Sequence, residues 1–171
     1  MNQPECLSEL NRALLSLEGL LYGIVSDDII NQKELDKLSS WKKQNKDKIG
    51  HHHVSELLRI LDSVIGCRII QNDEKDFLEE FCRRYGCCDK DNDPVLCDQI
   101  RMKGYIEGIL ADSKIYEGEI RSFREWLQER PHLSVLSDYS VLLENCEGYL
   151  LNRTPDAITL YSRLKEIHDC L

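Results

Sequence analysis

The chain has 171 residues, with 22 Lys+Arg against 31 Asp+Glu and a formal net charge of −9. A chain of this size can bury about 70% of its unfolded surface, enough for one sizeable core or two small ones. With 42% apolar and 31% charged residues, the composition is that of a folded globular protein and not of a disordered one. The acid excess argues against coating nucleic acid, and no apolar run reaches the length of a membrane span. The N-terminal MNQPECLSEL carries no basic-plus-apolar signal region, so a cytoplasmic protein with reduced thiols is the expectation.

In chain order the patterning is helical throughout. Leu14, Leu17, Leu21, Ile24 and Val25 recur at helix spacing and predict a first helix over 8–26. Asn31 with Glu34 has the form of a capping box and opens a second helix over 32–45. His51-His52-His53 is a short tract whose side chains cannot all face one way on a helix, so helix entry is favoured over metal binding. Leu57, Leu58, Leu61, Val64 and Ile65 predict a helix over 53–66, and Phe77, Leu78, Phe81 and Tyr85 one over 73–85. The polar stretch Gly86 to Asp93 is the natural boundary between a first half, residues 1–88, and a second, residues 89–171. Asp93-Pro94 and Thr154-Pro155 read as caps followed by proline at the first helical position. The remaining helices are expected over 94–111, 117–129, 134–147 and 155–169, with no strand alternation anywhere.

The two halves repeat. At an offset of 85 positions, residues 19–41 and 104–126 share seven identities, where average composition gives about one or two by chance. The paired residues are Gly19/Gly104, Gly23/Gly108, Ile24/Ile109, Asp27/Asp112, Ile30/Ile115, Glu34/Glu119 and Trp41/Trp126. A weaker kernel of turn, apolar residue and polar cap recurs at Cys67–Ile70 with Glu74, and in degenerate form at Glu147–Leu150 with Thr154. The expected architecture is therefore all-α, eight helices as two four-helix halves.

The kernel from Gly23 to Trp41, and again from Gly108 to Trp126, resembles the tellurite-resistance TerB-like helical domains, as two tandem copies over nearly the whole chain. The resemblance implies an all-α fold, an acidic inter-helix turn proposed to bind metal, and accessory roles in bacterial stress or phage-related systems. The family's glycine is replaced by Asp28 in the first copy and Ser113 in the second.

The chemistry-bearing clusters are weighed as follows. Asp27, Glu34, Asp112 and Glu119 are the candidate metal ligands, yet an EF-hand register would place Gly23, Val25, Gly108 and Leu110 at ligand positions, which no side chain there can fill. Ordering of the turns by Asp27 and Asp112, with Glu34 supporting the next helix, is the favoured role. The acidic run Asp89, Asp91, Asp93 lacks the glycine and glutamate of a calcium loop, and Cys82, Cys87, Cys88 and Cys97 lack zinc spacing. Gly19-x-x-x-Gly23 and Gly104-x-x-x-Gly108 each lie on one helical face and call for a closely packed backbone. Trp41 and Trp126 suit core positions. No nucleophile elbow, zinc-protease or phosphate-loop motif is present. The reading is a non-enzymatic protein-interaction protein, adaptor or inhibitor in type, with no cofactor. Its expected partner is another protein of basic or mixed surface, neither nucleic acid nor membrane. The alternatives are a metal-binding sensor using the acidic turns and an enzyme with an unrecognised site.

Overall fold

A computed structural model describes residues 7–25, 30–48, 55–85 and 93–171 of the chain. Among them the protein is all-α. Its helices are α1 (Glu9–Val25), α2 (Gln32–Asn45), α3 (Ser55–Cys67), α4 (Asn72–Tyr85), α5 (Pro94–Ile109), α6 (Glu117–Gln128), α7 (Ser137–Asn152) and α8 (Ala157–Cys170), with a 3-10 helix at Pro131–Val135. The expected capping chemistry sets the starts of α2 and α5. The Asn31 side chain accepts from the backbone N–H of Lys33 and Glu34 while Glu34 accepts from the N–H of Asn31 at 2.7 Å. Asp93 caps α5 with Pro94 in the first turn.

Two expectations at the end of the chain are corrected. Residues 131–135 form a 3-10 helix, so α7 starts at Ser137, not 134, and runs on to Asn152, not 147. The kernel Glu147–Leu150 is thus inside a helix. The turn lies at Arg153, in the left-handed conformation, and the cap of α8 is Asp156, not Thr154, with Pro155 outside the helix after a cis peptide bond. The kernel predicts a turn at Gly148. Its actual role is contact, since a Cβ there would lie 2.2 Å from the Thr154 carbonyl oxygen. Arg68 and Arg153, 85 residues apart, both take the left-handed conformation at the ends of α3 and α7, as does Ser113 after α5.

Two cores result. One gathers Leu14, Leu17, Leu21, Ile24, Leu35, Leu38, Trp41, Leu57, Leu61, Leu78 and Phe81 from α1–α4. The other gathers Tyr105, Ile106, Ile120, Phe123, Trp126, Leu142, Tyr149, Leu160 and Leu164 from α5–α8. Tyr22 of α1 reaches into the second core, its ring 6.0 Å from that of Tyr105.

α1 and α5 join the cores by direct backbone contact. A Cβ on Gly19 would sit 2.0 Å from the Arg101 carbonyl oxygen, and one on Gly104 would sit 2.3 Å from that of Ser16. Further along, Gly23 lies against Tyr105 and Gly108, and Gly108 against Leu20 and Gly23. The helices therefore run in the same direction across each other, and each contact is repeated with its partners exchanged at the 85-residue offset. Glycine costs about 1 kcal/mol relative to alanine inside a helix. Four of them at one crossing are explained by the absence of room for any side chain.

Replacing Gly19 or Gly104 by Ala should cost at least about 2 kcal/mol, the scale of forced overpacking, by urea denaturation. Gly66, with nothing within 4 Å of its notional Cβ, should instead gain about 0.5–1 kcal/mol on the same change.

Candidate functional site

The α1–α5 crossing brings the start of α2 against the turn between α5 and α6. The Asn31 amide meets Asp112 Oδ2 at 3.4 Å, and the Lys33 ammonium donates to the Asp112 carbonyl at 3.1 Å. Asp112 closes its own turn by accepting from the Lys114 N–H at 2.9 Å and from the Tyr116 hydroxyl at 3.2 Å. Glu119 is buried and accepts from the Tyr116 N–H at 3.0 Å, matching Glu34 at the start of α2. Glu74 repeats the arrangement at the Gln71 N–H, at 3.1 Å. The carboxylates that recur in the motif are thus occupied in capping helices, which satisfies otherwise orphaned N–H groups. Gly23, Gly108, Ile30 and Ile115 build the crossing and the adjoining cores. Asp27, His51, His52, His53, Cys87, Cys88, Asp89 and Asp91 lie outside the described residues. Among the described ones no three metal-ligating side chains converge.

Trp41 and Trp126 are buried, as expected. Each has a residue four positions on donating to its carbonyl oxygen, Asn45 at 2.8 Å and Arg130 at 3.0 Å. The two surroundings then diverge. Over Trp126 the Arg130 guanidinium lies 4.1 Å from the ring centroid, a cation–π arrangement. Asp98 draws in Arg101 at 2.9 Å, Arg130 at 3.6 Å and His132 at 2.8 Å. Leu133, from the 3-10 helix, is fully buried there. Beside Trp41 there is instead an open groove of about 740 Å³ between α1 and α2.

An ion pair not foreseen from the pattern crosses between the helices. Glu18, buried on α1, accepts from Arg101 Nε at 2.7 Å and from the Tyr22 hydroxyl at 3.1 Å. The available signal was a lone acid in the apolar run LLSLEGLL, since a buried charge requires a partner. Its field reaches Glu79, whose carboxyl is raised above its ordinary range, first by burial and then by nearby carboxylates including Glu18. A second groove, of about 410 Å³, is lined by Ile115, Tyr116, Ala157, Ile158 and Tyr161 at the α5–α6 turn and α8. Ile158 is 80% exposed.

The cysteines divide by burial. Cys82 and Cys146 are free thiols with no exposed surface, and burial pushes the Cys146 thiol up to about 12 and the Cys82 thiol upward as well. Thiolates are the reactive form, so these two are chemically quiet. Cys67 and Cys170 are exposed. Cys97 is disulfide-bonded, a departure from the expected reduced state.

No known protein family matches the chain, and neither a curated protein nor a solved structure matches it. No helix among the described residues is long and apolar enough to cross a membrane.

Two outcomes follow from these surroundings. At pH 8, a thiol reagent should modify Cys67 and Cys170 in the native protein, and Cys82 and Cys146 only after denaturation, as read by peptide mass mapping. Because the capping carboxylates are occupied, excess EDTA should leave the unfolding midpoint unchanged within about 1 °C. A shift well beyond that on chelation or on adding calcium or zinc would place a metal in the fold.

Proposed function

We propose that the chain is a non-enzymatic cytoplasmic interaction protein, built as two TerB-like modules in tandem, that acts by docking on another protein as an adaptor or inhibitor. The observation that carries this reading is the apolar groove at the α5–α6 turn and α8. Ile158 stands 80% exposed beside Tyr116, itself 38% exposed, with Ser113, Lys114 and Ser162 at the edge. Apolar side chains exposed on rigid helices and rimmed by polar groups mark interaction sites. The reciprocal glycine contacts at the 85-residue offset support the tandem reading. A net charge of −9 favours a partner patch that is basic or mixed around an apolar centre. A bacterial or phage stress, defence or counter-defence setting follows from the family resemblance alone.

The test is affinity capture followed by kinetics on the captured partner. The change Ile158→Glu should weaken binding by about tenfold or more, as for a contact near an interface centre, with unchanged helicity. Raising salt from 50 to 500 mM should slow association, since steering by exposed charge is screened. Glu125→Lys should slow it further at low salt without moving the unfolding midpoint. A partner that binds Ile158→Glu as tightly as the native chain, at a salt-independent on-rate, would overturn the reading.

A further inference from the structure

The groove between α1 and α2 has a counterpart that shows what fills it. At the 85-residue offset, Ala13, Asn45 and Lys48 of the first half correspond to Asp98, Arg130 and Leu133 of the second. In the second half Arg130 covers Trp126, Asp98 anchors Arg130 and His132, and Leu133 is buried, so the chain's own segment Pro131–Val135 occupies the space. In the first half none of those three side chains is available. Lys48 stands exposed where Leu133 is buried, and among the described residues nothing fills the groove.

Four cations, Arg12, Lys33, Lys37 and Lys48, line the groove against three carboxylates, an excess of one positive charge. Arg12 and Lys48 have no ion-pair partner among the described residues, and the Lys33 ammonium has only a backbone carbonyl. Of the three carboxylates that line it, only Glu107 is ion-paired, with Lys37 at 3.2 Å; Asp36 accepts from the neutral Gln32 amide at 2.9 Å and keeps its charge, and Glu9 has no partner among the described residues. The Trp41 indole N–H, in the wall, is buried with no acceptor, though Trp126 shares that state. From Lys33 to Asn45 the groove follows α2 for about 18 Å at 1.5 Å per residue. That is the length of about five extended residues at 3.3 Å each.

We infer that the α1–α2 groove is a docking groove for an acidic, extended segment of a partner polypeptide, held between Arg12, Lys33 and Lys48 in the place that Pro131–Val135 takes in the second half. The inference rests on the proposed docking function and assigns one element of the partner's chemistry. On a chain of net charge −9 such a groove selects acidic segments by local charge, against the long-range field. Binding is therefore short-ranged and depends on Arg12 and Lys48 directly.

The experiment pans displayed random twelve-residue peptides against the full chain, then measures the selected peptides by fluorescence polarisation and maps them by backbone amide shifts. The expected result is selection of peptides rich in Asp and Glu, with shifts along α1 and α2. The double change Arg12→Glu/Lys48→Glu should cost at least about tenfold in affinity. Both side chains are exposed, and circular dichroism would confirm that the variant is folded. Selection of neutral or basic peptides, no selection at all, or indifference to the double change would overturn the inference. Peptides that map to Ile158 and Tyr116 would overturn it while leaving the docking function standing. Displacement by inorganic pyrophosphate at concentrations equal to the peptide's own dissociation constant would reassign the groove to small oxyanions.

Discussion

The crossing of α1 over α5 is the contact on which the rest of the molecule depends. With carbonyl oxygens 2.0 to 2.8 Å from where side chains would begin, Gly19, Gly23, Gly104 and Gly108 allow an approach that no other residue permits. The crossing then fixes three further features. It carries Tyr22 across into the second core. It sets Asn31 and Lys33 against Asp112, so that the start of α2 and the α5–α6 turn share one end of the structure. It also buries Glu18 against Arg101. A pair removed from water in this way is costly to form and more costly to break on one side only, because the survivor stays buried and uncompensated.

The residues that recur most clearly in the sequence do structural work. Glu34, Glu74 and Glu119 each close a helix start, and two of the three are buried while doing so. An acid in the first turn also faces the favourable end of the helix dipole. A turn of this kind has the composition of a cation site, and Glu34, Glu74 and Glu119 give it the hydrogen bonding of a cap. Distinctive surface chemistry lies where the halves differ: the filled space over Trp126, the open groove beside Trp41, and the apolar groove at Ile158.

Most of the fold was legible because helix periodicity, capping pairs and the 85-residue offset agree with one another. The helix starts at Gln32 and Pro94 follow their caps, and the glycine pairs identify the crossing face. The errors cluster where a local signal had two physical meanings. Gly148 has the look of a turn residue but serves a close backbone approach, and Thr154-Pro155 has the look of a cap but precedes one. Pro131–Val135 passes for the start of α7 because a 3-10 helix shares its composition. The Glu18–Arg101–Asp98–His132 chain was not legible, since pairing over 83 and 34 residues of separation depends on tertiary geometry that no periodicity encodes. The grooves were illegible for the same reason.

The exchange of partners at the glycine crossing is the relation that a two-fold axis imposes on identical subunits. In a dimer of separate copies every contact must occur twice, and any substitution alters both sides at once. Here one side of the crossing carries Glu18 against Arg101, while the positions related by 85 residues are Lys103 and Ser16 and make no such pair. With both sides in one polypeptide that constraint is absent. The crossing does not depend on concentration, and each face is free to vary alone. One face can then spend its space on an internal plug of Arg130 and Leu133, while in the other no described residue fills the same space.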